Sequence, residues 1–151
     1  MSTIAKTKRQ RSQKMGHFSV EVQLANLHDL YSEQDGTISA DQVRRVTLSG
    51  IVDCGATRLV LPASTVKQLG LSITGEIKVK YADGRKAKRK VASNVDLEFN
   101  GRRGTFSAIV EPKRTDALIG AIVLEELDLV PDGIIQMLLQ RDPNGLLAEI
   151  E

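Results

Sequence analysis

Residues 51–57 read Ile51-Val52-Asp53-Cys54-Gly55-Ala56-Thr57, and a second apolar run, Leu59-Val60-Leu61-Pro62, begins two residues later. An acid that ends an apolar strand and is followed by a small residue and a glycine lies in a tight turn. The glycine permits close backbone approach or an unusual φ, and its N–H is placed to hydrogen-bond the carboxylate. Asp-x-Gly alone marks surface turns more often than active sites, so the meaning of Asp53 depends on its surroundings.

On the N-terminal side, Phe18, Val20, Val22 and Leu24 alternate with polar residues, the pattern of a half-buried strand. Residues 26–41 are polar, contain Asp35-Gly36 and are expected to form a loop. Val43 to Ile51 is a second strand that runs into Asp53. On the C-terminal side, Pro62 to Leu69 fits one or two helical turns, with Pro near the start and Gly70 as the stop. Ile77, Val79 and Tyr81 alternate with Lys78 and Lys80, Asp83-Gly84 turns the chain, and Arg85 to Val91 returns it as a hairpin. A second hairpin joins Val95–Phe99 to Thr105–Val110 through Asn100-Gly101. Ala117 to Leu127 passes from an apolar run into a helical pattern with Ile119, Val123 and Leu127 at i, i+4 and i+8. Leu138 to Glu151 ends the chain with an apolar segment, a turn at Asp142–Gly145 and a last short strand. Many short strands with two brief helices make the fold all-β.

At 151 residues, 41% of them hydrophobic, the chain suits one domain with one core. Aromatic residues make up only 3%, so that core is built from Val, Leu, Ile and Ala. The single Cys excludes an internal disulfide and points to a reducing, cytoplasmic location. No apolar segment follows the basic N-terminus. The longest apolar stretch, Ala117 to Leu124, is too short to cross a bilayer, so no membrane partner is expected. Five of the 21 basic residues lie in 1–14, where there is no carboxylate, leaving 16 basic against 19 acidic residues in 15–151. Residues 1–14 therefore read as a disordered basic tail on a mildly acidic domain, 15–151. The tail has no aromatic residue to stack on bases, and nucleic acid is not the expected partner.

The elements around Asp53 resemble, in order, those of the retropepsin-like aspartic proteases, the single-lobe relatives of pepsin. "IVDCGAT" stands where the family has an apolar pair plus Asp-Thr/Ser-Gly-Ala. "VKYADGRKAKRKV", about 30 residues on, stands for the flap hairpin, and "ALIGAIVLEEL", about 65 residues on, for the apolar-apolar-Gly before the helix. The resemblance covers about residues 15–151. It implies a closed β-barrel-type single lobe with one short C-terminal helix, dimeric, and no metal or cofactor. Asp53 would be the catalytic residue and Cys54, Gly55, Ala56 and Thr57 the active-site loop. Tyr81, Ala82, Asp83 and Gly84 would form a flap that closes on a peptide or protein substrate. Gly120, with Leu118 and Ile119, would pack beneath the loop as scaffold.

Such enzymes need two carboxylates sharing one proton, one to accept a proton from water and one to donate to the carbonyl oxygen. The other Asp-Gly pairs, at 35, 83 and 132, lack the intervening residue, so one chain holds half a site and a C2 homodimer is implied. The cations of the return strand, Arg85, Lys86, Lys88, Arg89 and Lys90, suggest a preference for acidic peptides if they face the cleft.

Cys54 departs from the family pattern, where a Thr or Ser hydroxyl reaches across the dimer axis and holds the carboxylates coplanar. A thiol is a weaker partner, and the substitution costs about 0.5–1.5 kcal/mol per protomer. The alternative to an aspartic endopeptidase is thus a catalytically weak or inactive retropepsin-like dimer that binds peptides or partner proteins. A Cys54 nucleophile is disfavoured, because the adjacent carboxylate raises a thiol's pKa and only His17 and His28 are available as bases. Those two histidines read as ordinary surface or strand residues.

Overall fold

The computed structural model describes residues 17–150; the basic tail and Glu151 lie outside the described residues. The chain runs β1 (His17–Asn26), α1 (Leu27–Gln34), a 3-10 turn (Ala40–Gln42), β2 (Arg45–Asp53), β3 (Leu59–Pro62), α2 (Ala63–Leu69), β4 (Ile73–Lys80) and β5 (Lys86–Phe99). It continues through β6 (Arg102–Glu111), β7 (Ala117–Ile119), α3 (Ala121–Glu126), β8 (Leu129–Asp132) and β9 (Met137–Gln140).

Seven strands form one sheet in the order β1-β2-β7-β3-β6-β5-β4. The sheet closes on itself because β1 also pairs with β5, Gln23–Asn26 against Glu98–Val95. The result is a six-stranded barrel from which β4 and the first half of β5 project as a hairpin. A register shift between Ala92 and Val95, with Asn94 in the left-handed region (φ 65°), marks where β5 changes from hairpin to barrel. Closure removes the unpaired edges that β1 and β5 would otherwise present. The interior is aliphatic, as the composition requires: Val52, Leu59, Leu61, Val95, Leu97 and Ile119 are all buried. The short C-terminal helix is α3.

Most elements match their sequence patterns. Both hairpins form at Asp83-Gly84 and Asn100-Gly101, and α2 starts after Pro62 and stops at Gly70, which is left-handed at φ 64°. Three differ. Residues 27–34, expected as loop, form α1. Its inward residues, Leu27 and Leu30, are only half-buried, so it lacks a strong apolar stripe. Polar contacts hold it instead: the Asn26 side chain caps its start by accepting the Asp29 N–H at 3.1 Å. Residues 129–140 form an antiparallel β8–β9 hairpin that the pattern did not signal. Residues 146–150, expected as a strand, have no regular structure. The turn before them is tied to β6, where buried Arg102 donates to the carbonyls of Leu127, Asp128, Asp142 and Gly145. Among the described residues, no helix is long and apolar enough to cross a membrane.

Asp29 anchors α1 to the start of β2 by accepting the Arg44 backbone N–H at 3.0 Å and its guanidinium at 2.8 and 2.9 Å. The guanidinium bonds hold this carboxyl below the usual carboxylate range, outweighing the opposing effect of burial. A lowered folded-state pKa stabilises in full above the unfolded value and is lost as pH falls through the folded one. Asp29→Asn is therefore expected to cost about 1–2 kcal/mol at neutral pH. The deficit should shrink in acid unfolding titrations followed by circular dichroism.

Candidate active site

Asp53 is the last residue of β2, and the loop after it is shaped by an inserted strand. β7 lies between β2 and β3, parallel to β2 (Val52↔Ile119) and antiparallel to β3 (Val60↔Leu118). Residues 54–58 must therefore cross about two strand spacings, about 10 Å, before the chain re-enters the barrel. The loop is held at both ends. Gly55 N–H donates to Asp53 Oδ1 at 2.9 Å, and Ala56 N–H donates to the Asp53 carbonyl at 3.1 Å. Gly55 thus supplies the expected N–H contact, but its φ lies outside the left-handed region. From beneath, the first N–H groups of α3 meet the loop: Ala121 donates to Ala56 O and Ile122 to Thr57 O, each at 2.9 Å. Gly120 makes this approach feasible. A Cβ there would stand 2.6 Å from Arg58 O and 2.7 Å from the Thr57 carbonyl carbon.

The Asp53 side chain is 23% exposed, and Nε2 of His17 stands 3.2 Å from its Oδ1. His17 did not stand out in the sequence. It meets Asp53 because the antiparallel register of β1 and β2 pairs the first residue of one with the last of the other. Only that register carries the signal. His28 contacts Asn94 instead, at 3.2 Å. Cys54 is a free, exposed thiol. Among the described residues, no three His, Cys, Asp or Glu side chains gather as a metal site would require.

The β4–β5 hairpin faces the loop across a cleft of about 380 Å3, walled by Gly55, Ala56 and Thr57 on one side and Ile77, Val79 and Tyr81 on the other. Ala82, Asp83 and Gly84 form its exposed tip. Gly84 is left-handed (φ 88°) and its N–H donates to Tyr81 O. Tyr81, at the base of the tip, donates its hydroxyl to Glu111 Oε2 at 2.5 Å, and Arg89 donates Nε–H to Glu111 Oε1 at 2.8 Å. Burial, reinforced by the Glu111 carboxylate, pushes the Tyr81 hydroxyl pKa up. Arg85 lies over the Tyr81 ring, 4.5 Å from its centroid. The cations of the return strand divide by strand periodicity. Arg89 is half-buried and engaged by Glu111, whereas Lys86, Lys88 and Lys90 are exposed on the alternate positions.

One barrel, an aspartate on a loop that rides over an inserted strand, and a hairpin facing that loop are the architecture of a retropepsin-like lobe. The family model for aspartyl proteases matches residues 35–135, well over half of the chain. The chain belongs to the retropepsin-like aspartyl protease family. No curated protein matches it.

Because the Gly120 position abuts backbone, Gly120→Ala is expected to displace the 54–58 loop at a cost of about 1–3 kcal/mol, measurable by chemical denaturation.

Proposed function

We propose that the protein is a homodimeric aspartic endopeptidase in which Asp53 of each subunit contributes one carboxylate to a shared pair. The observation that carries this reading is the placement of Asp53. It is a partly open carboxylate on a backbone-clamped loop, beside a cleft of peptide-binding size under a hairpin. With one proton held between the two carboxylates, the ionised one takes a proton from water as that water attacks the peptide carbonyl. The protonated one donates to the carbonyl oxygen. The hairpin closes over the bound peptide and excludes solvent. A second copy is supported by the apolar surface of the C-terminal segment, where Ile134 is 93% exposed and Ile135, Met137, Leu146, Leu147 and Ile150 are also exposed.

A second reading, a dimer that binds peptides without cutting them, is favoured by Cys54 alone. The thiol is exposed at the position where the family has its cross-axis hydroxyl.

Incubation with an unstructured protein from acidic to neutral pH separates the two. Cleavage that disappears in Asp53→Asn supports the enzyme, and no cleavage at any pH supports the binding module. A strict monomer at micromolar concentration by solution mass measurement would overturn both. Restoring the hydroxyl with Cys54→Thr is expected to tighten the dimer by about 1–3 kcal/mol over two protomers, about 5- to 150-fold in its dissociation constant. Sedimentation equilibrium of the two proteins checks it.

A further inference from the structure

The cleft between loop and hairpin is unbalanced in charge in a way the endopeptidase reading does not require. Arg58, the last residue of the loop, and Arg114, three residues beyond β6, both line it, as do the exposed Lys78 and Lys80 of β4. Both arginines are half-buried, and among the described residues neither forms an ion pair with a carboxylate. Arg58 donates to Ser107 Oγ at 3.1 Å, and Arg114 donates Nε–H to the Asp116 carbonyl at 2.8 Å. A guanidinium has five N–H donors, so each keeps a fork of donors beyond these bonds. Glu111, the acid lining the same cleft, is already bonded to Tyr81 and Arg89 and has its charge matched by the latter. Two partly desolvated cations without counter-charge, beside the loop where a peptide would lie, are a receptor lacking its anion.

We propose that Arg58 and Arg114 form a carboxylate-binding subsite that selects peptides carrying Asp or Glu near the position held against Asp53. The proposal rests on the peptide-binding cleft described above and specifies its substrate class. It differs from the expectation that the return-strand lysines set specificity. Lys86 and Lys88 stand directly opposite Lys80 and Lys78 on the hairpin, so they contribute a diffuse positive field rather than a pocket. The two sources separate by salt, because exposed charges are screened at high ionic strength while a fork bonded to a carboxylate in a partly desolvated cleft is screened much less.

The test uses fluorescent octapeptides built around a Leu-Phe pair, with Glu placed at each flanking position in turn and Gln at the same position as the partner peptide. Binding to the full-length Asp53→Asn protein is read by anisotropy and cleavage by the wild type by kcat/KM, at low and high salt. The expected result is at least a tenfold preference for Glu over Gln at one or two positions, persisting at high salt. Arg58→Gln and Arg114→Gln, each checked for wild-type melting, should bring the ratio close to one. A ratio near one in the parent protein overturns the subsite, and so does a preference that high salt abolishes and neither arginine variant changes. Binding preference without cleavage supports the subsite while counting against the endopeptidase. Cleavage without preference does the reverse.

Discussion

The insertion of β7 between β2 and β3 is the constraint from which the rest of the site follows. Two strands joined by a five-residue loop would ordinarily pair with each other. Here three residues, Ala117–Ile119, occupy the space between them, hydrogen-bonded on one side in parallel and on the other antiparallel. The loop is thereby stretched over a strand end, and Asp53 is left partly open at its start. The barrel can only close around this arrangement if the chain after β7 turns away at once beneath the loop. That explains why a glycine occupies position 120 and why α3 gives its first N–H groups to Ala56 and Thr57 rather than to water.

The hairpin is a continuation of the barrel rather than an appendage. β5 is one fourteen-residue strand whose first half pairs with β4 and whose second half pairs with β1 and β6. The register shift near Asn94 separates the two halves, and the Tyr81–Glu111–Arg89 contacts tie the base of the hairpin to the end of β6. The same contacts neutralise the acid in the cleft, which leaves the cleft cationic, lined by Arg58 and Arg114 and by the exposed Lys78 and Lys80 of β4. Directly opposed lysines on the hairpin's exposed positions repel one another, so the hairpin depends on these base contacts and on its turn for its conformation.

Much of this was legible in the residues because it is local. Asp83-Gly84 and Asn100-Gly101 encode their turns by backbone preference, and the Pro62–Gly70 bracket encodes α2 by its termini. The ordered set of three motifs around Asp53 was enough to resemble the right family. Elements without a local signal escaped. α1 is held by Asn26 and by Asp29 with Arg44, fifteen residues away, rather than by an apolar stripe, and β8–β9 lacks the alternation of a half-buried hairpin. The expected strand after Gly145 has the apolar residues of a strand but no partner to pair with among the described residues.

For the site, sequence alone singled out Asp53, showed that it is followed by Cys54 where the family has a hydroxyl, and showed that one chain carries one such triplet. These are statements about covalent neighbours. Which groups meet Asp53 and the cleft was decided by tertiary structure. His17 arrives through strand register over a separation of 36 residues, and Arg58 and Arg114 line one cleft although they flank different strands. Charge runs in a strand divide between its two faces, so Lys86, Lys88 and Lys90 of the return strand do not line the cleft, while Arg58 and Arg114 reach it from separate segments. Only the closed barrel brings those segments together.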